Sequence, residues 1–202
     1  MTQPFLPSIL HDPTLYRGGH GSVPPYRVPR AYRDWLLDPG SLTRRLVRES
    51  GGHFRVQVLR QGFLPAYPAE RQELGLELRE WPFVREVALR CHDTPWVFAR
   101  TLIPAATLKG PARALTHLGT KPLGAVLFND PRVRRGPIAV SRLSGAQLGR
   151  SWATEGEIWG RRSCFYLAGL PLLVSEYFLE ACPMYASAIP GNVPGDIRAE
   201  RE

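Results

Sequence analysis

The chain has 202 residues, 44% of them hydrophobic and 22% charged, which suits one domain with a filled core. It contains no run of 18 apolar residues and no signal-peptide pattern at its start, which argues against a membrane span and a secreted protein. Three scattered cysteines favour reduced thiols in the cytoplasm over a disulfide framework. The net charge of +8 comes almost entirely from arginine and favours anionic partners: nucleic acid, acidic lipid or a small carboxylate.

The N-terminal quarter is predicted to form an arm, two short helices and a strand. Residues 1–30 are rich in Pro, Gly and Tyr, lack a clear period, and are expected to form an extended arm. Residues 31–50 predict two helices that are interrupted at Asp38-Pro39-Gly40, with Ser41 as the N-cap of the second. The alternating residues 53–63 predict a β-strand.

The middle of the chain contains the clearest hairpin signal. A loop with a turn of helix is expected at residues 66–80. The runs FVREVALR and WVFARTLIP, at 83–90 and 96–104, alternate as strands on either side of the turn CHDTP. Residues 110–119 then predict a short helix that ends at Gly119.

The C-terminal part is predicted to contain three more strands. Residues 130–137 are expected to form a basic loop, 138–143 a strand, and 144–160 an irregular segment. A second hairpin follows, with strands at 163–169 and 171–179 and a tight turn near Gly169.

These elements are segregated rather than alternating, which predicts an α+β fold built on a single antiparallel sheet. We expect the domain to span residues 31–185 and to be followed by a flexible tail at 186–202.

Two charged residues lie on strand faces that are otherwise apolar. Arg85 alternates with Val87 in the first hairpin, and Glu176 alternates with Val174 in the last strand. An unpaired buried charge is costly, so each residue has either an ionic partner or a role in binding. The pattern leaves both open: a structural salt bridge, or two charges that point into one cavity. Arg100 poses the same question, with a paired core arginine favoured over contact with a substrate carboxylate.

Other functional signals are weak. Cys91-His92-Asp93 falls in a predicted turn with no second cluster to complete a metal site, so no metal is expected. Neither a nucleophile elbow nor a phosphate-binding glycine loop occurs, which favours a reaction without a cofactor. The short basic runs at 132–135 and 161–162 lack interleaved aromatics and favour solvated loops over a nucleic-acid site.

Several separated motifs resemble one family, chorismate pyruvate-lyase, over residues 35–185. These motifs, in chain order, are FVREVAL, PWVFARTLIPAATLKGP, LGTKPLGAVLF and IWGRRSCFYLAGLPLLVSEYFLEACPMY. The resemblance implies an antiparallel sheet of about six strands with helices around it and an enclosed site beneath two flaps. It further implies conversion of chorismate to 4-hydroxybenzoate and pyruvate, the first step of ubiquinone biosynthesis, without a cofactor and with tight retention of the product.

The resemblance also implies roles for four residues. Arg85 matches the arginine that binds the ring carboxylate, and Glu176 matches the glutamate that hydrogen-bonds the ring hydroxyl. Leu42 and Leu123 match the two flap positions whose backbone contacts the carboxylate; the first is commonly methionine in the family. If Arg100 were to contact the substrate, the enolpyruvyl carboxylate is the group that it would complement.

Two competing hypotheses remain at this stage. The first is a sensor domain of the same fold, which binds an aromatic acid and performs no chemistry. The second, a nucleic-acid-binding module, rests on charge alone. For the enzyme we expect a cytoplasmic monomer without a nucleic-acid partner, in transient contact with the membrane-bound prenyltransferase that uses its product.

Overall fold

The computed structural model describes residues 23–109, 111–145, 154 and 156–186. Most of the arm predicted at 1–30, and all but Ala186 of the tail predicted at 186–202, lie outside the described residues. Within the described part of the arm, Val28 is buried and the backbone N–H of Val23 donates to the carbonyl of Val140.

In the described part of the chain, seven strands form one antiparallel sheet, which confirms the predicted α+β class and adds one strand to the number of about six that was expected. The strands are β1 (Phe54–Phe63), β2 (Phe83–Cys91), β3 (Thr94–Ile103), β4 (Val133–Arg135), β5 (Ala139–Ser144), β6 (Glu157–Leu167) and β7 (Leu170–Phe178). Their order is β1-β2-β3-β7-β6-β4, and β5 pairs with β6 beside β4. The sheet therefore brings β2 and β7, which carry Arg85 and Glu176, to either side of β3.

Both predicted hairpins are present, and their turn residues explain why the chain reverses there. His92 and Asp93 link β2 to β3 with φ angles of 47° and 60°. Ala168 and Gly169 link β6 to β7 with φ angles of 51° and 83°. Two consecutive residues in the left-handed region match the twist of the flanking strands and close a tight hairpin.

Among the described residues, five α-helices surround the sheet: α1 (Arg30–Leu36), α2 (Leu42–Glu49), α3 (Pro68–Leu74), α4 (Leu123–Leu127) and α5 (Pro183–Ala186). Ser41 caps α2 by accepting a hydrogen bond from the backbone N–H of Arg44, as predicted. 3-10 helices lie at Pro25–Arg27, Thr107–Lys109 and Pro111–His117, the last in place of the helix predicted at 110–119. None of the helices in the described ranges has both the length and the apolar character needed to cross a membrane.

Three segments differ from the sequence prediction. The loop predicted at 66–80 contains the seven-residue helix α3, which ends at Gly75 in the left-handed conformation. The basic loop predicted at 130–137 contains the short strand β4, and β6 begins at Glu157, inside the segment predicted to be irregular. Both strands are held by pairing within the sheet, a long-range contact that local sequence does not encode.

The sheet buries both of its faces, and each face has its own core. We call the face that carries Arg85 and Glu176 the inner face and the opposite one the outer face. On the inner face α1 and α2 pack against β1, β2 and β3 through a cluster that includes Trp35, Leu46 and Val87. On the outer face α3 packs through Leu74 against Val84 of β2. Strand alternation alone therefore cannot tell which face holds a site.

Candidate functional site

A cavity lies between the inner face and the first turns of α2 and α4. Its apolar wall comes from strand and helix side chains, among them Val56, Val87, Leu89, Ala99, Leu127, Phe128, Phe165 and Val174. The four residues to which the family resemblance assigns roles all line this cavity: Arg85, Glu176, Leu42 and Leu123. A concave apolar site with a few polar groups is the usual form of a small-molecule pocket.

Arg85 is the cation of the cavity. Its side chain projects from β2 and only 3% of the residue is exposed. Nη1 donates to Oε1 of Gln61 at 3.1 Å, and Nη2 donates to the carbonyl of Lys121 at 3.4 Å. Among the described residues it forms no ion pair, and burial lowers the pKa of its guanidinium. A buried arginine whose only partners are neutral can still gain much from an anionic ligand.

Glu176 is the anion of the cavity and does have an ionic partner. Its Oε2 accepts a hydrogen bond from Nε of Arg161 at 2.7 Å, and its side chain is 15% exposed. Arg161 lies on β6 directly opposite Glu176 of β7, and its side chain is 1% exposed. Glu176 therefore forms a structural salt bridge and also lines the cavity. The two alternatives that the sequence left open are both true of this residue.

Two segments cover the cavity, and we call them the first and second flap. The first flap is the start of α2 at Leu42, and the second is the start of α4 at Leu123. They meet at Gly124, where an added Cβ would lie 2.8 Å from Oγ1 of Thr43. Because Gly124 has no side chain, the two flaps can close tightly over the cavity.

Arg100 does not line the cavity, so the less favoured alternative, a contact with the enolpyruvyl carboxylate, is wrong. It projects from β3 onto the outer face and is 1% exposed. Its guanidinium contacts Glu70 of α3 at 2.8 Å and Glu86 of β2 at 2.5 Å, and it lies over the ring of Tyr67. Burial lowers its pKa, but the fields of Glu70 and then Glu86 outweigh that effect and raise it overall. It is the paired core arginine that the sequence favoured.

The basic runs are not solvated loops throughout. Arg132 is exposed and pairs with Asp130 in a turn, and Arg162 pairs with Glu73 at 3.0 Å. Arg135 and Arg161, however, lie on strands and turn toward the inner face, where Arg161 reaches Glu176. Sequence reasoning missed them because it placed both runs outside strands.

The alternation that could have found Arg161 is present in β6. Trp159, Arg161 and Phe165 lie on one face of that strand, and Gly160 lies on the other, tight against the ring of Tyr177. An added Cβ at Gly160 would lie 2.6 Å from that ring, so close packing explains this glycine.

No cluster of three metal-ligating side chains occurs within the described ranges, and Cys91-His92-Asp93 forms a hairpin end with His92 stacked on His53. In the described part of the chain the cavity therefore presents one buried cation, one anion and an apolar wall. These features suit a small aromatic acid.

Comparison with known proteins agrees with this geometry. A family model described as chorismate lyase matches residues 26–189. The chain belongs to the chorismate lyase family. A relative from Methylococcus capsulatus, named probable chorismate pyruvate-lyase, is 44% identical over 151 residues, which cover 73% of this chain and 93% of that protein. The chorismate pyruvate-lyase of Serratia proteamaculans is 40% identical over 170 residues, covering 81% and 87% of the two chains.

Among solved structures, PhnF from Mycobacterium smegmatis is similar with a TM-score of 0.49 and 16% sequence identity. The match covers 71% of this chain and 65% of that one. A similarity at this level has no bearing on what the chain binds or does.

Proposed function

We propose that this protein is a chorismate lyase, which converts chorismate to 4-hydroxybenzoate and pyruvate at the start of ubiquinone biosynthesis. The proposal rests mainly on the surroundings of Arg85. Its buried guanidinium has no carboxylate partner in the described chain and lies in an apolar cavity that Glu176 also lines. The family that the chain belongs to supplies the reaction. No cofactor or metal takes part in it.

Arg85 anchors the ring carboxylate of the substrate. A guanidinium and a carboxylate form two parallel hydrogen bonds, and in a dry site such a pair is strong. The backbone at Leu42 and Leu123 completes the site, since the first N–H groups of a helix have no partner within the helix. Both residues line the cavity at helix starts, which supports this arrangement.

Glu176 accepts a hydrogen bond from the hydroxyl at the other end of the ring. Cleavage of the ether C–O bond releases the enolpyruvyl group, and the ring carbon that bears the hydroxyl gives up a proton as the ring becomes aromatic. The released group gains that proton on its methylene carbon and leaves as pyruvate. The proton passes directly within the substrate or by way of Glu176, which is the only carboxylate that lines the described cavity.

Positioning and exclusion of water are the main tasks of the protein, because aromatisation makes the reaction strongly downhill. The flaps serve both tasks, and the contact between Gly124 and Thr43 supports their closure. Closed flaps also retain the product. Turnover is therefore limited by flap opening rather than by chemistry.

The setting follows from the same function. We infer a cytoplasmic monomer in which residues 31–185 form the catalytic domain. The product passes to the membrane-bound prenyltransferase through a transient contact that the positive net charge favours. Nucleic acid has no role.

The direct test is to incubate the purified protein with chorismate and to quantify 4-hydroxybenzoate by chromatography and pyruvate by a coupled assay. Equal amounts of both products are expected, with large losses of rate in Arg85→Ala and Glu176→Ala. The matched control is Arg142→Ala, which removes an arginine from an exposed ion pair with Glu157. If neither product forms although 4-hydroxybenzoate binds, the protein is an aromatic-acid sensor and the lyase proposal is wrong.

A further inference from the structure

Arg161 contacts two parts of the site at once. Its Nε donates to Oε2 of Glu176 at 2.7 Å. Its Nη1 donates to the backbone carbonyls of Trp35 at 2.9 Å and Asp38 at 2.8 Å. Trp35 lies near the end of α1, and Asp38 lies in the link that leads into the first flap. One rigid guanidinium therefore joins the anion of the cavity to the base of the flap that covers it.

The contact leaves the two oxygens of Glu176 in different situations. Oε2 is occupied by Arg161, whereas Oε1 has no hydrogen-bond partner in the described part of the chain. Glu176 lines the cavity, so the free oxygen is the one available to a ligand. A carboxylate on a flexible side chain would otherwise sample several rotamers, and the charge-assisted hydrogen bond restricts it to one.

We propose that Arg161 is a positioning residue: it acts through Glu176, holding the carboxylate so that Oε1 faces the ring hydroxyl, and it ties this carboxylate to the base of the first flap. The inference rests on the proposed role of Glu176. Arg161 itself does not line the cavity and does not touch the substrate.

Arg135 provides a matched control, because it shares with Arg161 the contact to the base of the first flap but not the contact to Glu176. It donates to the carbonyls of Asp38, Pro39 and Gly40 and to Oγ of Ser163 at 3.1 Å. It is half-buried beside Arg161, and burial, followed by the charge of Arg161, lowers the pKa of its guanidinium. Within the described residues it makes no hydrogen bond to Glu176. Arg135→Lys thus weakens the contacts at the base of the first flap, while Arg161 still holds the carboxylate of Glu176.

The test compares two ligands that differ only in the ring hydroxyl: 4-hydroxybenzoate and benzoate. Calorimetric titration of both into the wild type, Arg161→Lys and Arg135→Lys gives the ratio of the two dissociation constants. We expect Arg161→Lys to lose about tenfold of the preference for 4-hydroxybenzoate, as for one hydrogen bond to a charged group, with benzoate affinity nearly unchanged. Arg135→Lys keeps the preference. A purely structural role for Arg161 would weaken both ligands together.

Each outcome separates the two proposals. If the wild type binds both ligands equally, the role of Glu176 fails, and that of Arg161 fails with it. If the wild type prefers 4-hydroxybenzoate and Arg161→Lys keeps that preference, only the positioning role is overturned.

A second comparison applies if Arg161→Lys does not fold. The double variant Arg161→Gln with Glu176→Gln removes both charges and is compared with Glu176→Gln alone. Because Arg161 acts on the ring hydroxyl only through Glu176, the two proteins are expected to have the same preference for 4-hydroxybenzoate over benzoate. A further loss in the double variant would overturn the proposal.

Discussion

The two faces of the sheet each bury an arginine, but in opposite surroundings. On the outer face Arg100 is enclosed by the carboxylates of Glu70 and Glu86. On the inner face Arg85 is nearly as buried, yet its partners in the described chain are an amide and a backbone carbonyl. Arg85 and Arg100 are thus alike in burial and charge and differ only in their hydrogen-bond partners. A buried ion that is already neutralised holds the fold together, whereas one that is not provides a site for an anion.

The largest effect is expected where the charges are already paired. Arg100→Met leaves two buried carboxylates without their main cation and should lower the free energy of unfolding by about 3–5 kcal/mol. Urea denaturation measures this effect. Arg142→Met is the control, because its ion pair with Glu157 is about half exposed and should contribute less than about 1 kcal/mol. If Arg100→Met loses no more free energy of unfolding than the control, Arg100 does not have the structural role described here.

The contact between the flaps should show the next largest effect. Gly124→Ala places a methyl group 2.8 Å from Oγ1 of Thr43 and forces the flaps apart, at a cost of about 1–3 kcal/mol as for other overpacked sites. We expect faster dissociation of 4-hydroxybenzoate in stopped-flow displacement and, because release limits turnover, a higher kcat.

The companion variant is Gly124→Ala with Thr43→Ala, which makes room for the methyl group. It should restore slow release. If Gly124→Ala alone releases the product at the rate of the wild type, closure does not depend on this contact.

Arg85 should behave in the opposite way to Arg100 in a stability measurement. Arg85→Met removes a buried cation that has no ionic partner in the described chain, and two hydrogen bonds to neutral groups. The free energy of unfolding is therefore expected to stay unchanged or rise by about 1 kcal/mol. Urea denaturation of Arg85→Met and Arg100→Met side by side tests this contrast. If both variants lose the same free energy of unfolding, the two arginines do not differ in their structural role.

The smallest effect concerns two thiols in different surroundings. Burial raises the pKa of Cys182, in the inner core cluster, to about 12. Burial and then Glu73 raise that of Cys164, on the outer face, to about 11. The folded state disfavours both thiolates, so their contribution to stability is present below the ordinary pKa of 9.0 and is lost as the pH rises through the folded values.

Unfolding measured at about pH 8 and at about pH 10 should show this loss. Cys182→Ala and Cys164→Ala should each reduce this pH dependence by a similar amount, because both folded pKa values lie above pH 10. An equal pH dependence in the wild type and in Cys182→Ala would contradict the assignment.

The same contrast explains what the sequence could predict. Strand alternation has a period of two, so it placed Arg85 and Glu176 correctly on the apolar faces of their strands. It placed Arg100 on a buried face as well, but could not say that this face lies opposite the cavity lined by Arg85 and Glu176. That depends on α3, whose residues looked like a loop, and on Glu70, which α3 carries to the outer face.

The sequence prediction missed Arg161 for a different reason. Arg161 stands in a run of two arginines between the segment expected to be irregular, 144–160, and the strand predicted from residue 163, and its burial arises from pairing of β6 with β7. The short strand β4 was missed for the same reason, since three residues hold too little local information and depend on β6. The resemblance to a family supplied roles for four residues, but none for Arg161.

The measurement that tests the central claim most directly is a calorimetric titration of 4-hydroxybenzoate into the wild type and Arg85→Ala. If the buried cation without a carboxylate partner is the anchor of the ring carboxylate, the variant should bind more weakly by about 3–5 kcal/mol, a factor of about a hundred to several thousand. Equal affinity in the two proteins would mean that the product is held elsewhere, and the account of the inner face would be wrong.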